Sequence, residues 1–493
     1  MRILLVSHFF LPNHLSGTEI YTAQVGLELL SRGHDVHVFT TEKDISRPNL
    51  GVRLWHHRGL PVHELTNNLF YNRFEETWDY PPLVESFKRL LDDLRPDVVH
   101  FMHLLHLSVG CVEEVARRGI PVLYTLHDYW LQCARYGQRV HADTTICHTI
   151  DFDRCGQCLA GYKFKQTRLE RATAKLVARL RSRTGVNLGP LARGVGETFK
   201  AVAGAELAPS SDAAGAGAGD PDEVQGPPAS PVSPDPEAVE MAAKVRERDR
   251  VLRERLLPHV FRFLAPSRFL RDRLLEWGIP AHQISYMRTG IDLESFHWAE
   301  RTRSDKVRVA FIGTLAHHKG VHVLLDAWSR IPAELRARAE LQVFGPLTHN
   351  PSYIRRLRAL AAPTEVELAG RLRRRDVHRT LAEVDLLVVP SVWYENSPLI
   401  ILEALAMRTP LLVSDLGGMA ELVEEGVSGF HFRVGDAGHL ASRIRSVIED
   451  PGLLEALYPE DMPVPVKGVQ VDARELEALY AAALEAVQRS GKR

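Results

Sequence analysis

The sequence predicts an α/β protein made of two doubly wound units, and two observations lead to this prediction. Near the N-terminus, an apolar strand at 3–7 is followed by a glycine-bearing loop, a helical stripe over 20–30 and a second strand at 36–39. A strand, loop, helix and strand in quick succession are typical of a parallel sheet. A second unit of the same kind begins at the apolar strand 307–311.

Segments of different composition divide the chain further. From about Pro209 to Pro236 it consists mainly of Ala, Gly, Pro, Ser and Asp. Such a stretch cannot bury enough apolar surface to offset the entropy lost on ordering, so we expect a disordered insertion there. The predicted segments are an N-terminal domain (1–200 and 240–292), the insertion (201–239), a C-terminal domain (293–457) and a terminal helix (458–493).

Charge and composition argue against several classes of protein. The 493 residues carry a formal net charge of −1, so nucleic acid is not an expected partner. No apolar stretch reaches the roughly 18 residues of a spanning helix. His8 and Pro12 interrupt the N-terminal apolar run, unlike a secretory signal. An odd number of cysteines, five, favours a reducing compartment. We therefore expect a cytoplasmic protein that at most sits on a membrane surface.

Two candidate ligand-binding residues lie where N-terminal strands end. Gly17 stands at the start of the first helix, where backbone N–H groups and the helix dipole favour an anion. The alternative is a tight turn that only caps the helix. His127 directly follows the strand at 122–126, which is where ligands bind in open α/β sheets. A purely structural histidine is the alternative at this position.

A glycine-bearing loop, Gly313 to Gly320, follows the first strand of the second unit. Its glycines permit a tight turn, and Lys319 can place a point charge on a diphosphate. The spacing differs from that of a phosphate-binding P-loop. An ordinary turn with a solvated lysine is therefore the alternative.

The strongest constellation follows the strand that ends near Pro390. Pro398 suits the first turn of a helix, and Asn396 or Ser397 suits its N-cap. Glu395 then precedes the helix and Glu403 lies inside it. Carboxylates at these places can accept hydrogen bonds from sugar and ribose hydroxyls. The intervening Leu-Ile-Ile-Leu run argues against two fully solvated glutamates.

A pair of glycines, Gly417 and Gly418, ends the next strand of the second unit, at 410–413. Because glycine lacks a side chain, this turn would allow a ligand to approach the backbone closely.

Together, these motifs resemble the retaining glycosyltransferases of family 4 (glycosyl transferases group 1), which include bacterial mannosyltransferases and sucrose-phosphate synthases. The most specific mark is the pair Glu395 and Glu403 with seven residues between them. Also part of the resemblance are Gly17, His127, Pro266-Ser267, Gly290-Ile291-Asp292, the loop from Gly313 to Gly320, Pro410, Gly417-Gly418 and Glu421. It covers nearly the whole chain outside the insertion.

The resemblance implies the GT-B fold, in which two Rossmann-like domains face each other across a cleft. The acceptor would bind on the N-terminal side and the donor on the C-terminal side, and the last helix would return to the N-terminal domain. Glu395 and His127 would act at the reaction centre. The donor-binding residues would be Lys319 on the diphosphate, Glu403 on the ribose, Gly17 at the phosphates, and Asn396, Ser397, Gly417 and Gly418.

One position departs from the family pattern. Many relatives carry arginine after the first glycine of the diphosphate loop, where this chain has Thr314. His317, His318 or Arg288 could substitute for the missing cation. Catalysis would need no metal or other cofactor, because Lys319 and the helix N-terminus near Asn396 can stabilise the leaving diphosphate.

Four of the cysteines, Cys133, Cys147, Cys155 and Cys158, lie in one segment (130–160). The last two form a C-x-x-C pair with the spacing of a metal knuckle, and four thiolates could enclose a structural zinc ion. The irregular gaps between the others leave reduced packing cysteines as the alternative.

A basic helix is predicted between Lys163 and Arg183, where eight basic residues accompany one acidic residue, Glu170. Leu169 and Leu176 lie on one face of this helix. Its leucines either pack on their own domain or lie on anionic lipid, which would suit a lipid-linked acceptor.

The sequence thus predicts a retaining glycosyltransferase that moves a sugar from a nucleotide-diphosphate sugar to a glycan or lipid-linked acceptor, in the assembly of surface polysaccharide. Two alternatives share the same fold. One is a nucleotide-sugar epimerase, which would need no acceptor. The other is a catalytically silent nucleotide-sugar-binding protein, which Thr314 makes conceivable.

Overall fold

The structure, a computed structural model, describes residues 1–184, 235–296, 304–348, 350–458 and 466–490. The predicted insertion lies outside the described residues up to position 234. A helix then begins at Pro236, so residues 236–239 are helical and not part of a disordered stretch. The Asp235 side chain accepts a hydrogen bond from the backbone N–H of Glu237, and proline suits the first helical position.

The first unit is built on an eight-stranded sheet in the order β3-β4-β2-β1-β5-β6-β7-β8. The strands are β1 (Arg2–Ser7), β2 (Asp35–Glu42), β3 (Val52–His57), β4 (Leu60–Thr66), β5 (Val98–Phe101), β6 (Val122–Thr125), β7 (Arg262–Ala265) and β8 (Ile284–Tyr286). Neighbouring strands run parallel, except that β3 is antiparallel to β4. β5 and β6 are buried along their whole length, as their unbroken apolar sequences require.

Helices cover both faces of this sheet. They are α1 (Gly17–Ser31), α2 (Pro81–Leu94), α3 (Val109–Arg117), α4 (Phe152–Leu159), α5 (Arg168–Thr184), α6 (Pro236–Arg255) and α7 (Arg268–Trp277). Within the described part of the chain, no helix is both long and apolar enough to cross a bilayer.

The second unit is built on a six-stranded, wholly parallel sheet in the order β11-β10-β9-β12-β13-β14. Its strands are β9 (Val307–Ile312), β10 (Ala339–Phe344), β11 (Glu367–Gly370), β12 (Leu386–Val389), β13 (Leu411–Ser414) and β14 (Gly429–Phe432). Its helices are α8 (Val321–Ser329), α9 (Ala333–Arg336), α10 (Pro351–Ala361), α11 (Val377–Glu383), α12 (Leu399–Ala406), α13 (Gly417–Ala420), α14 (Ala437–Glu449) and α15 (Gly452–Glu455). The prediction of two doubly wound α/β units is confirmed.

The order of the strands reverses beside β1 in the first sheet and beside β9 in the second. In open α/β sheets, ligands bind at such a reversal, beyond the carboxyl ends of the strands. The loops that follow β1, β6 and β7 contact those that follow β12 and β13. The contacts between these two sets of loops form the candidate site.

The last helix, α16 (Val469–Ser490), packs against α1 of the first unit. Glu477 accepts hydrogen bonds from both Arg32 Nε (2.8 Å) and Arg32 Nη2 (2.7 Å). Tyr480 Oη lies 2.8 Å from His100 Nδ1 in the core of the first sheet. The end of the chain is therefore held on the first unit, although it follows the second in sequence.

Candidate functional site

A partly buried ion pair lies at the centre of the site. Lys319, in the turn after β9, donates from Nζ to Glu395 Oε1 over 2.6 Å. Ser391 Oγ donates to the same carboxylate oxygen over 2.9 Å. Burial would raise the pKa of Glu395, but the Lys319 ammonium and the hydrogen bond from Ser391 hold it below its ordinary value. Glu395 is thus ionised at neutral pH beside a cation that can also attract phosphate.

The second glutamate of the motif lies one turn inside α12, as predicted. Glu403 is buried and pairs with Arg374, which stands between β11 and α11. Burial raises the pKa of Glu403 above its ordinary value, and Arg374 opposes this shift only in part. A buried carboxylate of this kind gains stability when it accepts hydrogen bonds, which the hydroxyls of a ribose can donate.

The predicted N-cap of α12 is wrong. Pro398 itself occupies the N-cap position in an extended conformation, and no side chain caps the helix. The side chain of Asn396 points to the first unit, where its Oδ1 accepts from Tyr129 Oη (2.9 Å) and its Nδ2 donates to the carbonyl of His127 (3.0 Å). Asn396 therefore joins the two units, a role that capping rules do not foresee. Ser397 is half-buried in the same loop.

His127 lies directly opposite this loop, after β6. Burial and the nearby His103 lower its pKa to about 3, so the imidazole is neutral at physiological pH. Its Nε2 atom is buried and has no hydrogen-bond partner among the described residues. The edge of the ring contacts Tyr21 at a centroid distance of 5.3 Å. A neutral imidazole with an unused nitrogen fits hydrogen bonding to a sugar hydroxyl.

The three glycines of the prediction all lie at the junction of the units. A Cβ at Gly17 would stand 3.8 Å from Leu399, so the start of α1 faces the start of α12. Gly418 donates its N–H to the carbonyl of Glu395 over 2.8 Å. A Cβ there would approach Asn396 O to 2.3 Å, and Gly417 has a positive φ of 61°. The Gly417-Gly418 turn thus packs against the loop that carries Glu395 and holds it in place. A contact of these glycines with the donor stays a prediction.

Sequence reasoning missed two polar residues of the first unit. His8 follows β1 just as His127 follows β6. This shared position beyond a strand end could have identified His8 as a candidate from the sequence. Glu19, in the first turn of α1, is 1% exposed, and its Oε1 lies 3.5 Å from His8 Nε2. The other side-chain atoms, His8 Nδ1 and Glu19 Oε2, are buried without partners among the described residues. Such unsatisfied groups mark a place where a ligand can supply the missing hydrogen bonds.

Two of the groups expected to replace the arginine missing at Thr314 are His317 and His318. His317 stacks on His322 at 4.3 Å between ring centroids, and burial lowers the pKa of His317. It is therefore neutral and does not supply a second positive charge. His318 contacts the Trp393 ring at 5.0 Å, close to Lys319.

The cysteine segment does not have the geometry expected of a zinc site. Across the described ranges, no three His, Cys, Asp or Glu side chains form a group that could hold a metal ion. All of the cysteines are free thiols, and His141 Nδ1 lies 3.2 Å from Cys158 Sγ. Burial raises the pKa of Cys155 to about 12, which disfavours the thiolate. The structural zinc of the sequence analysis stays a prediction.

Two family models match the chain. The model described as "Glycosyl transferases group 1" matches residues 292–460, and the model "Glycosyltransferase Family 4" matches residues 15–181. Curated relatives include a glycogen synthase of Mycobacterium tuberculosis, 31% identical over 38% of this chain and 45% of the relative. A putative colanic acid biosynthesis glycosyltransferase of Salmonella typhimurium is 28% identical over 35% and 44%. The aligned region thus spans less than half the length of these relatives.

Solved structures show the same fold. The sucrose-phosphate synthase of Thermosynechococcus elongatus aligns with a TM-score of 0.56 at 18% identity, over 100% of this chain and 98% of that one. Anabaena HepE in complex with UDP and glucose aligns with a TM-score of 0.53 at 15% identity, over 100% and 99%. These are GT-B proteins, and the prediction of this fold is confirmed.

Proposed function

Because the chain belongs to the family 4 (group 1) glycosyltransferases, we propose that it transfers a sugar from a nucleotide-diphosphate sugar to a glycan or lipid-linked acceptor with retention of configuration. The observation that carries this proposal is the ion pair of Lys319 with Glu395, next to Asn396, which donates to the carbonyl of His127 across the junction. The glycogen synthase and colanic acid relatives support a polysaccharide-related reaction. Surface polysaccharide is the proposed product class.

The charges of the site suit the departure of a nucleoside diphosphate. Negative charge develops on the leaving diphosphate as the glycosidic bond breaks, and a cation placed there beforehand stabilises the transition state. Lys319 would supply this charge together with the N-terminus of α12. Glu395 holds the lysine in place before the donor arrives and would then face the donor sugar. Glu403 would hold the ribose, and His127 a sugar hydroxyl.

The proposal is tested by donor binding and product analysis. Thermal unfolding against UDP, GDP and ADP and their sugars identifies the donor, since a ligand at about a hundred times its dissociation constant adds roughly 2.7 kcal/mol of stability. We expect one nucleotide class to stabilise the chain. NMR of the product formed with that donor should then show a retained anomeric configuration. An inverted product would exclude the retaining reaction.

Variants of the two glutamates test the assigned roles. Glu395→Gln should lower kcat at least about a hundredfold, because it removes a charge next to the reacting atoms. Glu403→Ala should mainly raise the donor KM. Glu449→Gln, at an exposed glutamate of α14, serves as the matched control and should leave both constants unchanged. Unchanged kinetics in both site variants would refute the assignment.

The two alternatives give different products. An epimerase would convert the donor with no acceptor present, whereas a transferase should show only slow hydrolysis under that condition. A silent binding protein would be stabilised by the donor and show neither reaction. Thr314→Arg, which restores the cation of the family pattern, should increase transfer if weak charge stabilisation limits the rate.

We also propose that α5 contacts a membrane surface at the cytoplasmic side. Leu169 is 74% and Leu176 58% exposed, so these leucines do not pack on their own domain as the alternative required. Arg168 and Lys175 are exposed on the same helix. Arg171, in contrast, donates to the carbonyl of Tyr71 and holds the helix on the first unit. Exposed leucines flanked by cations suit an anionic lipid surface.

Co-sedimentation with vesicles tests this contact. The chain should bind phosphatidylglycerol vesicles and not phosphatidylcholine vesicles, and Lys175→Gln with Leu176→Ser should abolish the binding. Leu453→Ser, at an exposed leucine of α15, is the control. If the unaltered chain does not bind, the membrane proposal fails.

A further inference from the structure

A cavity of about 330 Å³ lies in the first unit, outside the site described above. It is enclosed by the cysteine-bearing segment, α6 and α7. Arginines from all three elements line it: Arg139, Arg253 and Arg273. Its volume falls within the range of pockets that enclose small ligands.

The charges around this cavity do not balance. Arg253 Nε pairs with Asp249 Oδ2 at 2.7 Å, and Arg273 Nη1 pairs with Glu276 Oε2 at 3.2 Å. Arg139 is only 4% exposed and lacks a carboxylate partner among the lining residues. One positive charge is therefore uncompensated there. A cation held in a partly enclosed space is stabilised by an anion that enters it.

Arg139 is held firmly in this position. Its guanidinium donates to the carbonyls of Cys147 and His148 and to the side-chain oxygen of Gln132. All of these acceptors are neutral, so they orient the side chain without cancelling its charge. On the other wall, the Nε of Arg273 is buried and has no acceptor in the described structure. One arginine thus supplies unpaired charge, and the other an unused N–H group.

The cavity adjoins the candidate active site through Tyr394. His148, which lines the cavity, places Nδ1 2.6 Å from Tyr394 Oη, and Tyr394 directly precedes Glu395. Burial raises the pKa of Tyr394, and Arg139 and Arg273 both oppose this shift, as expected of cations close to its ring. A group in the cavity would therefore lie next to the junction where the acceptor is expected.

We propose that the cavity bounded by Arg139, Arg253 and Arg273 binds an anionic group, a carboxylate or a phosphate, carried by the sugar acceptor. The buried Trp277 and the partly buried Phe152 give the cavity apolar walls for the sugar itself. Naming the ligand an acceptor rests on the proposed function, whereas the binding of an anionic sugar does not. The acceptor class is thus an acidic or phosphorylated glycan.

Direct binding to the full chain, without nucleotide, tests the proposal. Isothermal titration with glucuronic acid, glucose 6-phosphate and glucose should show binding of at least one anionic sugar and none of glucose. Whichever of glucuronic acid and glucose 6-phosphate binds with the higher affinity shows whether the cavity prefers a carboxylate or a phosphate. Equal binding of all three, or of none, would overturn the proposal.

Two variants with opposite expected effects separate binding from folding. Arg273→Gln should weaken binding of the anionic sugar about tenfold, because it removes a cation from the wall. Glu276→Gln should strengthen it, because it releases Arg273 from its carboxylate. Arg445→Gln, beside a different cavity lined by Arg330, is the control. If both wall variants weaken binding equally, general destabilisation explains the effect and the cavity is not the site.

The outcomes also separate this inference from the proposed function. Binding of an anionic sugar without any sugar transfer would support the cavity and contradict the transferase proposal. Transfer to neutral acceptors, with no binding of anionic sugars, would support the transferase and overturn the cavity.

Discussion

At the scale of single residues, Gly17 and Gly418, which both lie at the junction, are not equivalent. A Cβ at Gly418 would stand 2.3 Å from Asn396 O and 2.6 Å from Ser267 Cβ, whereas a Cβ at Gly17 would meet only Leu399 at 3.8 Å. Gly418→Ala should therefore cost about 2 kcal/mol of stability, as overpacked sites do. Gly17→Ala should change the free energy of unfolding by less than about 1 kcal/mol. Urea denaturation measures both, and equal effects would contradict the close approach at Gly418.

The two glutamates of the site should respond to pH in opposite directions. The folded-state pKa of Glu395 is lowered, so its stabilising contribution is present above the unfolded value near 4.5 and is lost as pH falls through the folded pKa. The folded-state pKa of Glu403 is raised, so the folded chain binds its proton more tightly, and this contribution is lost as pH rises through the folded pKa.

Gln variants make this difference measurable. Between pH 3 and 7, the stability lost in Glu395→Gln should grow with pH and reach about 3 kcal/mol, the usual effect of breaking a buried ion pair. As pH rises, the free energy of unfolding of Glu403→Gln should increase relative to that of the unaltered chain. Parallel curves for the two variants would show that Lys319 and Arg374 influence their partners equally.

At the scale of elements, α16 is held on the first unit by a few polar contacts. The hydrogen bonds from Arg32, and next the contact with His34, lower the pKa of Glu477 to about 2. Glu477→Gln should cost about 1 kcal/mol, since the side chain is 21% exposed and solvent screens the pair. Because the folded pKa is depressed, this contribution is complete above pH 4.5 and disappears between about pH 4.5 and 2.

A residue on the same helix provides the control for this prediction. Glu485 is 64% exposed and pairs only with Arg489, one turn along α16. Glu485→Gln should leave the midpoint of chemical unfolding unchanged. If both variants behave alike, the contact between α16 and α1 rests on the apolar core around Tyr480 alone.

The elements that the sequence predicted well are those buried on both faces. β1 and β9 lie within one residue of the predicted bounds, 3–7 and 307–311, because continuous apolar runs belong to covered parallel strands. The hairpin of the largely exposed strand β3 and the buried strand β4 was not predicted, since its sequence mixes histidine, proline and charged residues. The short strands β8, β11 and β14 were also missed, because each lies at the edge of its sheet and lacks a continuous apolar run.

In the candidate site, too, the local sequence predicted the positions of residues but not their contacts with residues distant in the chain. The positions of Glu395, Glu403 and Lys319 follow from where their strands end, so the sequence predicted them. Two features depend on contacts between residues that are distant in the chain and are not visible in the local sequence. These are the contact of Asn396 with Tyr129 and the pairing of Glu403 with Arg374. The cap assignment failed for this reason, because Asn396 has better partners in the other unit than in its own helix.

At the scale of the whole molecule, the two units are joined by polar contacts on both sides of the cleft. Glu421, at the end of α13, accepts hydrogen bonds from the backbone N–H groups of Arg268 (2.9 Å) and Phe269 (2.5 Å), so a carboxylate of the second unit caps α7 of the first. Asn396 and Tyr394 make further polar contacts between the units. Polar junctions of this kind separate more readily than apolar ones, because water can replace their hydrogen bonds.

This reasoning predicts that Asn396 controls how far the cleft opens. Asn396→Ala would leave Tyr129 Oη and the carbonyl of His127 without partners in a closed junction, at a cost of about 1–3 kcal/mol. Opening the junction lets water satisfy both groups, so the variant should favour the open form. Small-angle scattering should therefore give a larger radius of gyration for Asn396→Ala than for the unaltered chain, and Ser397→Ala should not change it. If the radius stays the same while stability falls, the contacts around Glu421 and Tyr394 are sufficient to hold the units together.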